Sequence, residues 1–403
     1  LTTWKISALY EPVEGIRFRA SQSRDSRSPN FRELYYGQQL ESISNGGFGS
    51  CSLPNSSPLA SDPCTWNLLG NTDLRPETSN TTTVGLVLTP PQVPGFAASV
   101  DWYHIKIQDA IEQANVSAVE QYCAGGQTAS CDQMVFNDSY YDPTTGNVVA
   151  PGTPGAVTGA AAWQQGNGKV LNATAINATS YNGAFYDTRG VDLSLSYLHA
   201  LPDGSTLSGR ILTTWVGEQL FQGYAGGPVI SILGQTGAAN NFLNDNNPAA
   251  RWTGSMSITW QKGGFSLTPN MRFVGSGSLS YTGVTPTSNP TIYNWILEGF
   301  PDASNPAAAD YKAQLYAKQY GWTALPVNHV GSYFVFGLNA AYTFENIPGI
   351  KSLQLFTQAD NLLNRVPPFA SAPGGFNSSY AGTNPVFFDT LGLRYRVGFR
   401  MAF

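Results

Sequence analysis

The chain has 403 residues and a net charge of -5, with only 12% charged and as many as 12% aromatic residues. Soluble globular chains carry about 25% charged residues, so two or three ordinary soluble domains are not expected despite the length. No basic patch or stripe points to nucleic acid. No run of about 18 apolar residues exists, which excludes a transmembrane helix.

The chain is rich in glycine (42), tyrosine (20) and tryptophan (9), and its mean hydropathy is -0.17. Such a composition suits strands that bury only every second residue, as in a membrane barrel. Leu1-Thr2-Thr3-Trp4 starts directly in a strand-like stretch without an initiator Met or a signal-peptide pattern, so the chain is expected to be a fragment. Strands are predicted near 3–10, 15–24, 78–89, 96–110, 184–199, 205–219, 250–262, 265–278, 331–344, 351–363 and 387–403. Val191, Leu193, Leu195 and Tyr197 alternate with Asp192, Ser194 and Ser196. Trp252, Met256, Ile258 and Trp260 share a face, and so do Phe334, Phe336, Leu338, Tyr342 and Phe344. Alternation is clearest in the final strand, Leu391 to Phe403. There Leu391, Leu393, Tyr395, Val397, Phe399, Met401 and Phe403 oppose a face that carries Arg394, Arg396 and Arg400. A strand has period two, so one face is lipophilic and the other wet.

The connections fix the topology. Short turns lie at Pro12-Val13-Glu14, Pro90–Gly95, Leu201–Gly204, Gly263-Gly264 and Asn346–Ile350, with the Pro, Gly and Asp chemistry of tight turns. Long connections lie near 25–77, 111–183, 220–249, 279–330 and 364–386, and they alternate strictly with the short ones. Structureless connections of that length do not suit a compact soluble domain. In an outer-membrane barrel the short turns are periplasmic and the long loops extracellular. The predicted fold is therefore all-β: a transmembrane antiparallel up-and-down β-barrel in which the first and last strands both descend to the periplasm. An odd strand count does not close a bacterial single-chain barrel, which implies strands upstream of this chain.

Cys51, Cys64, Cys123 and Cys131 form two close pairs in polar stretches. Local disulfides suit an oxidising compartment, and no histidine joins them to suggest zinc. His104, His199 and His329 are isolated, and no Gly-x-Ser-x-Gly, HExxH or paired-carboxylate pattern appears, so no catalytic set, metal site or cofactor is expected.

Five motifs occur in order: Ser28-Pro29-Asn30-Phe31-Arg32-Glu33-Leu34-Tyr35, Gly70-Asn71-Thr72-Asp73-Leu74-Arg75-Pro76-Glu77-Thr78-Ser79, Asp101-Trp102-Tyr103, Arg189-Gly190-Val191-Asp192, and Asp360-Asn361-Leu362-Leu363-Asn364. Capped by a terminal Phe, this set resembles the TonB-dependent outer-membrane receptors. The resemblance implies a 22-stranded barrel filled by an N-terminal plug, of which residues 1–403 supply the eleven C-terminal strands. It implies outer-membrane lipid, the TonB complex (through a region upstream), the barrel-assembly machinery and a nutrient ligand as partners. It also makes Phe403 the membrane-insertion signal.

Ligand contacts are expected from loop aromatics: Trp163, Tyr293, Trp295, Tyr311 and Trp322. Their flat faces suit sugar rings, while neighbouring Asn and Gln supply hydrogen bonds. Packing within the loops is the alternative role. Residues 310–322 are predicted to form a short amphipathic helix. Trp4, Trp102, Trp215, Trp252 and Trp260 are expected in interfacial girdles. Arg394, Arg396 and Arg400, with Arg17 and Arg19, are expected to face the lumen and plug. Uptake of a bulky nutrient is the leading function, with an oligosaccharide favoured over an iron–siderophore by loops poor in charge. A barrel enzyme and a soluble secreted β-rich binding protein are the alternatives.

Overall fold

In the computed structural model the described residues are 2–36, 39–41, 65–113, 119, 123, 128–165, 173–223, 229–237, 249–280, 282–302, 308–310, 313–314, 322–370 and 382–402. Eleven long strands form one antiparallel sheet in chain order. They are β1 (Trp4–Val13), β2 (Ile16–Arg27), β3 (Glu77–Leu88), β4 (Phe96–Gln113), β5 (Ala173–Ala200), β6 (Thr206–Gln222), β7 (Trp252–Lys262), β8 (Phe265–Val274), β9 (Tyr333–Ile347), β10 (Ile350–Asp360) and β11 (Arg394–Ala402). The predicted up-and-down order is the observed one. The sheet is open: β1 pairs with β2 alone and β11 with β10 alone among the described strands.

Register fixes the two faces, because directly opposed residues project to the same side. One row reads Val84–Trp102–Val191–Trp215–Trp252 across five strands. The next row towards the short turns contains Leu86, Val100, Leu193, Thr213, Gly254, Phe273 and Phe334. On the opposite face Arg19, Gly85, Asp101, Asp192, Thr214 and Thr253 stand in line. Further along, Thr268, Asn339, Gln358 and Arg396 do the same. The apolar face is open to its surroundings: Tyr395, Val397 and Phe399 are 77%, 79% and 66% exposed. Covering a side chain of that kind is worth about 1.5–3 kcal/mol, so this face calls for an apolar surrounding.

The short turns stack against neighbouring hairpins. Gly15 sits at φ +85°, where an added Cβ would lie 2.5 Å from the Thr89 carbonyl oxygen. Gly95 does the same at φ +84°, 2.0 Å from the Leu198 carbonyl. Only glycine meets both the left-handed backbone and the close approach.

Two strand starts differ from expectation. β5 begins at Ala173, eleven residues before the predicted 184. Its first segment leaves the barrel wall and pairs in parallel with Thr65–Leu69 and antiparallel with Met134–Phe136. Small residues such as Ala173, Ala175 and Ala178 hide this extension from hydrophobic periodicity. β11 begins at Arg394, not at 387 or Leu391. The Leu391 amide donates to Asp389 Oδ1 and the Leu393 amide to Asn364 Oδ1, each at 3.0 Å, so side chains take the place of ladder partners. The long connections are folded, with helices α1 (Phe31–Tyr35), α2 (Thr128–Cys131), α3 (Gly159–Gln165) and α4 (Pro290–Leu297). Of the predicted 310–322 helix only Ala313 and Gln314 are described as helical; most of the rest lies outside the described residues.

Candidate functional site

The polar face of the sheet and the folded loops at its long-connection end are where a solute would meet this protein. Along that face the side chains cross-link the strands, in one case across an intervening strand. Arg19 forks onto Asp101, with Nε 2.6 Å from Oδ1, and Gly85 leaves the room both side chains need: a Cβ there would meet the carboxylate. Arg17 pairs with Glu11 at 3.1 Å. Ser21 and Thr83 share a hydrogen bond of 2.8 Å, the Thr214 hydroxyl donates to Asp192 at 2.6 Å, and Thr259 and Thr268 share one of 2.9 Å.

The three arginines of β11 share this face. Arg396 donates to Gln358 at 3.1 Å and stands 3.7 Å from Asp360, while Arg394 is 3.5 Å from Asp389. Acids of the same chain therefore neighbour two of them. The Arg400 guanidinium lies over the Phe356 ring, 5.3 Å from its centroid. Arg210 and Arg272 also project to the polar face, opposite Ser257 and Ser255 respectively. Among the described residues neither has an acidic partner.

At the rim, the sequence motifs turn out to be joints. Asn30 caps α1 by accepting the Glu33 amide at 2.8 Å, and the Glu33 carboxylate returns to the Asn30 amide at 2.7 Å. The same carboxylate receives Arg27 at 3.0 Å. Arg27 also forks onto Glu77 at 2.7 and 3.0 Å. Glu77 Oε2 accepts the Ile111 amide at 3.0 Å as well, and the Tyr186 hydroxyl donates to the neighbouring Glu112. One guanidinium thus ties α1, β2 and β3 together, and the Glu77 carboxylate adds β4. The Asn71 amide group reaches the Ser180 carbonyl at 2.9 Å. Asn182 accepts from the Arg75 amide at 2.7 Å and donates to the carbonyls of Arg75 and Asp109 at 2.8 and 2.9 Å. Asn361, 1% exposed, closes the turn after β10 with a hydrogen-bond pair to the Arg365 backbone. Gly190 lets the Tyr103 phenol approach β5, since a Cβ there would stand 2.6 Å from the phenol oxygen.

The predicted ligand aromatics scatter. Trp163 is 1% exposed and packs with Val119, Met134, Ile176 and the Cys123–Cys131 disulfide. It takes the packing role: the inner face of α3 carries Ala162 and Trp163, which leaves no ring face open to solvent. Tyr293 and Trp295 lie half-buried on α4, which is capped by Asn289 and packs on the paired segments Gly283–Val284 and Thr323–Ala324. Trp322, half-buried, immediately precedes the second of these. Tyr311, Cys51, Cys64 and Phe403 lie outside the described residues. Other buried clusters sit at the long-connection end of the polar face. Val274, Tyr333 and Val335 pack with Leu279, Val330, Ala370 and Phe388, and Phe221 with Ala110, Ala184 and Ile232. Asn384 locks two loops together by donating to the carbonyls of Thr236 and Gly237 at 3.1 and 3.0 Å. Among the described residues no His/Cys/Asp/Glu group is arranged to hold a metal.

Sequence reasoning missed the Arg27 hub and the Asn182 clasp. Their partners lie up to 107 residues apart, so no local periodicity marks them. The available signal was Glu77 following Pro76 in a motif, which placed an acid at the foot of a strand.

A family model described as "TonB dependent receptor-like, beta-barrel" matches residues 1–362. The chain belongs to the TonB-dependent receptor β-barrel family. Proteins of this family are receptors of the bacterial outer membrane, not enzymes. Among solved structures, the siderophore receptor PirA of Acinetobacter baumannii superposes with a TM-score of 0.51 at 12% identity, over 100% of this chain and 41% of that one. The ferric enterobactin receptor PfeA of Pseudomonas aeruginosa gives 0.49 at 13% identity, over 98% of this chain and 39% of that one. The chain therefore spans about two fifths of the length of these receptors, and at such identity the likeness is one of fold. No curated protein matches the chain by sequence. For a TonB-dependent receptor β-barrel the apolar face is the lipid face, the polar face is the lumen, and the long connections lie outside the cell.

Proposed function

We propose that this chain is the C-terminal part of the barrel of an energised uptake receptor, one that passes a bulky nutrient from the extracellular loops along the luminal wall. The observation that carries the reading is the polar face of β2–β11, built largely from Ser, Thr, Asn, Gln and Arg, opposite a mainly apolar band on the other face. Such a wall hydrates a large polar solute or a plug, whereas a closed enzyme cleft needs a nucleophile beside a base. Coupling to the TonB complex would run through a region upstream of these residues.

The favoured ligand is a neutral oligosaccharide, taken at the loop unit that carries Tyr293, Trp295 and Trp322, whose ring faces suit sugars. A ferric siderophore is the second reading. It is favoured by Arg210, Arg272 and Arg400, luminal cations without an acidic partner among the described residues, and by the siderophore ligands named for the structural neighbours. Uptake of a labelled neutral oligosaccharide and of a ferric catechol chelate, in a deletion strain complemented with the full-length receptor, separates the two. The oligosaccharide reading expects W295A/W322A to abolish sugar uptake while R210A/R272A leaves it near normal. Chelate uptake lost in R210A/R272A, with sugar never taken up, replaces it by the second reading. Uptake of either ligand that is indifferent to a protonophore removes energised transport.

A further inference from the structure

The outward face changes chemistry immediately above the tryptophan row. In register, the next row towards the long connections contains Gln22, Thr82, His104 and Arg189, and the row beyond it Trp4, Arg24, Asn80 and Lys106. These residues keep the parity of Val84 and Trp102, so they face away from the lumen. The apolar band ends where they begin, with Trp102 and Trp215 39% and 38% exposed along its upper margin and Trp4 two rows higher. Tryptophans at that depth mark the membrane–water interface, which puts the polar rows at the level of the outer-leaflet headgroups.

The acids of this patch are already engaged. Asp187, opposite Lys106 in the register, turns its carboxylate to His104 Nε2 at 2.8 Å, and Glu218 holds Arg189. Arg24 and Lys106 have no acidic hydrogen-bond or salt-bridge partner among the described residues; the Lys106 ammonium lies only over the Phe185 ring, 5.0 Å from its centroid. One strand separates β2 from β4, so the two backbones stand about 10 Å apart. Both side chains are long enough to converge between them, where Asn80 adds an amide donor. Trp4 stands directly opposite Arg24, and Ile6 below it is 69% exposed. A ligand at this place meets two cations and an amide, Gln22 and Thr82 in the row beneath, and an apolar wall of Trp4 and Ile6 to one side on β1.

We propose that Arg24, Asn80 and Lys106 form an outward-facing site for the phosphate of a phosphorylated glycolipid of the outer leaflet. Its acyl chains lie along the apolar rows, and Gln22 and Thr82 offer hydrogen bonds to its sugar. The apolar wall selects the lipid over free phosphate: inorganic phosphate gains only the two cations, while the glycolipid also covers the exposed Ile6 side and the Trp4 edge. Paired basic side chains beside a membrane surface recognise anionic headgroups in this manner.

The test uses the purified full-length receptor in detergent micelles, probed with bisphosphorylated lipid A, its phosphate-free counterpart and phosphatidylethanolamine. The expected result is preferential binding of the bisphosphorylated probe, weakened about tenfold or more in R24A/K106A and restored in R24K/K106R. Retained heat-modifiable mobility on gels shows that each variant is folded. If the double variant fails that check, R24Q and K106Q are each expected to weaken binding about threefold. Equal binding of the phosphorylated and phosphate-free probes overturns the proposal, as does unchanged affinity in the folded variants. Complete displacement by millimolar inorganic phosphate overturns the lipid assignment in favour of a free-anion site.

Discussion

Replacing Arg27 by alanine tests whether the rim motifs are joints. Arg27 makes two contacts to Glu77 and two to Glu33, between 2.7 and 3.1 Å. The acids are 18% and 19% exposed and the arginine 44%. A fully exposed pair is worth about 0–1 kcal/mol, and stripping a partner from a buried pair costs about 3–5 kcal/mol. With acids mostly shielded and a half-open guanidinium, the expected loss is intermediate, about 2–3 kcal/mol. Glu77 keeps its Ile111 amide bond in the variant, which holds the loss below the buried limit. R27K keeps the charge but not the planar fork, so it should lose roughly half as much. Guanidinium unfolding of the full-length receptor in micelles measures both, and the cycle of R27A, E77A and the double variant isolates the pair. A coupling above about 1 kcal/mol is expected. An R27A loss within about 0.5 kcal/mol of zero, with additive double-variant energies, refutes the assignment.

Asn182→Ala removes three hydrogen bonds at 2.7, 2.8 and 2.9 Å, worth about 1 kcal/mol each; hydrogen exchange at the Arg75 amide should accelerate, and unchanged exchange contradicts the clasp. Cys131→Ser opens the Cys123–Cys131 bridge, which spans a sequence separation of 8. Loop closure of that size is worth about 2.5 kcal/mol. Limited proteolysis should then cut the 114–172 connection faster while barrel unfolding stays put; equal loss of both would deny the loop its own small core. In the periplasmic turn, hydrogen bonds from Ser205 and from Lys262 hold the Asp203 carboxyl well below the usual carboxylate range. A depressed folded-state pKa stabilises above the unfolded value near 3.9 and is lost as pH falls towards the folded one. The stability gap between wild type and D203A should therefore be constant at neutral pH and shrink below about pH 4; a gap that widens on acidification rejects the turn assignment.

The sequence by itself determined the barrel. Period-two alternation, as in Leu391 to Phe403, needs only local geometry, and the alternation of short with long connections orders and orients the strands without any tertiary contact. All five motifs were legible, because motifs are local strings. Their meaning was not. Arg27 meets Glu77 across 50 residues, and Asn182 meets Arg75 across 107, and only register brings such partners together. Trp163 shows the same limit in reverse. An aromatic in a polar loop looks like a ligand face until the folding of Cys123–Cys131, Met134 and Ile176 around it removes it from solvent. The tertiary structure also decided which arginines have acid neighbours and which do not. Arg24 has Asp25 beside it in the sequence, yet strand parity turns the two to opposite faces and leaves Arg24 outward without an acidic partner among the described residues, while Arg19 meets Asp101 from 82 residues away. Strand parity is a local property, whereas charge pairing depends on which strand lies next door.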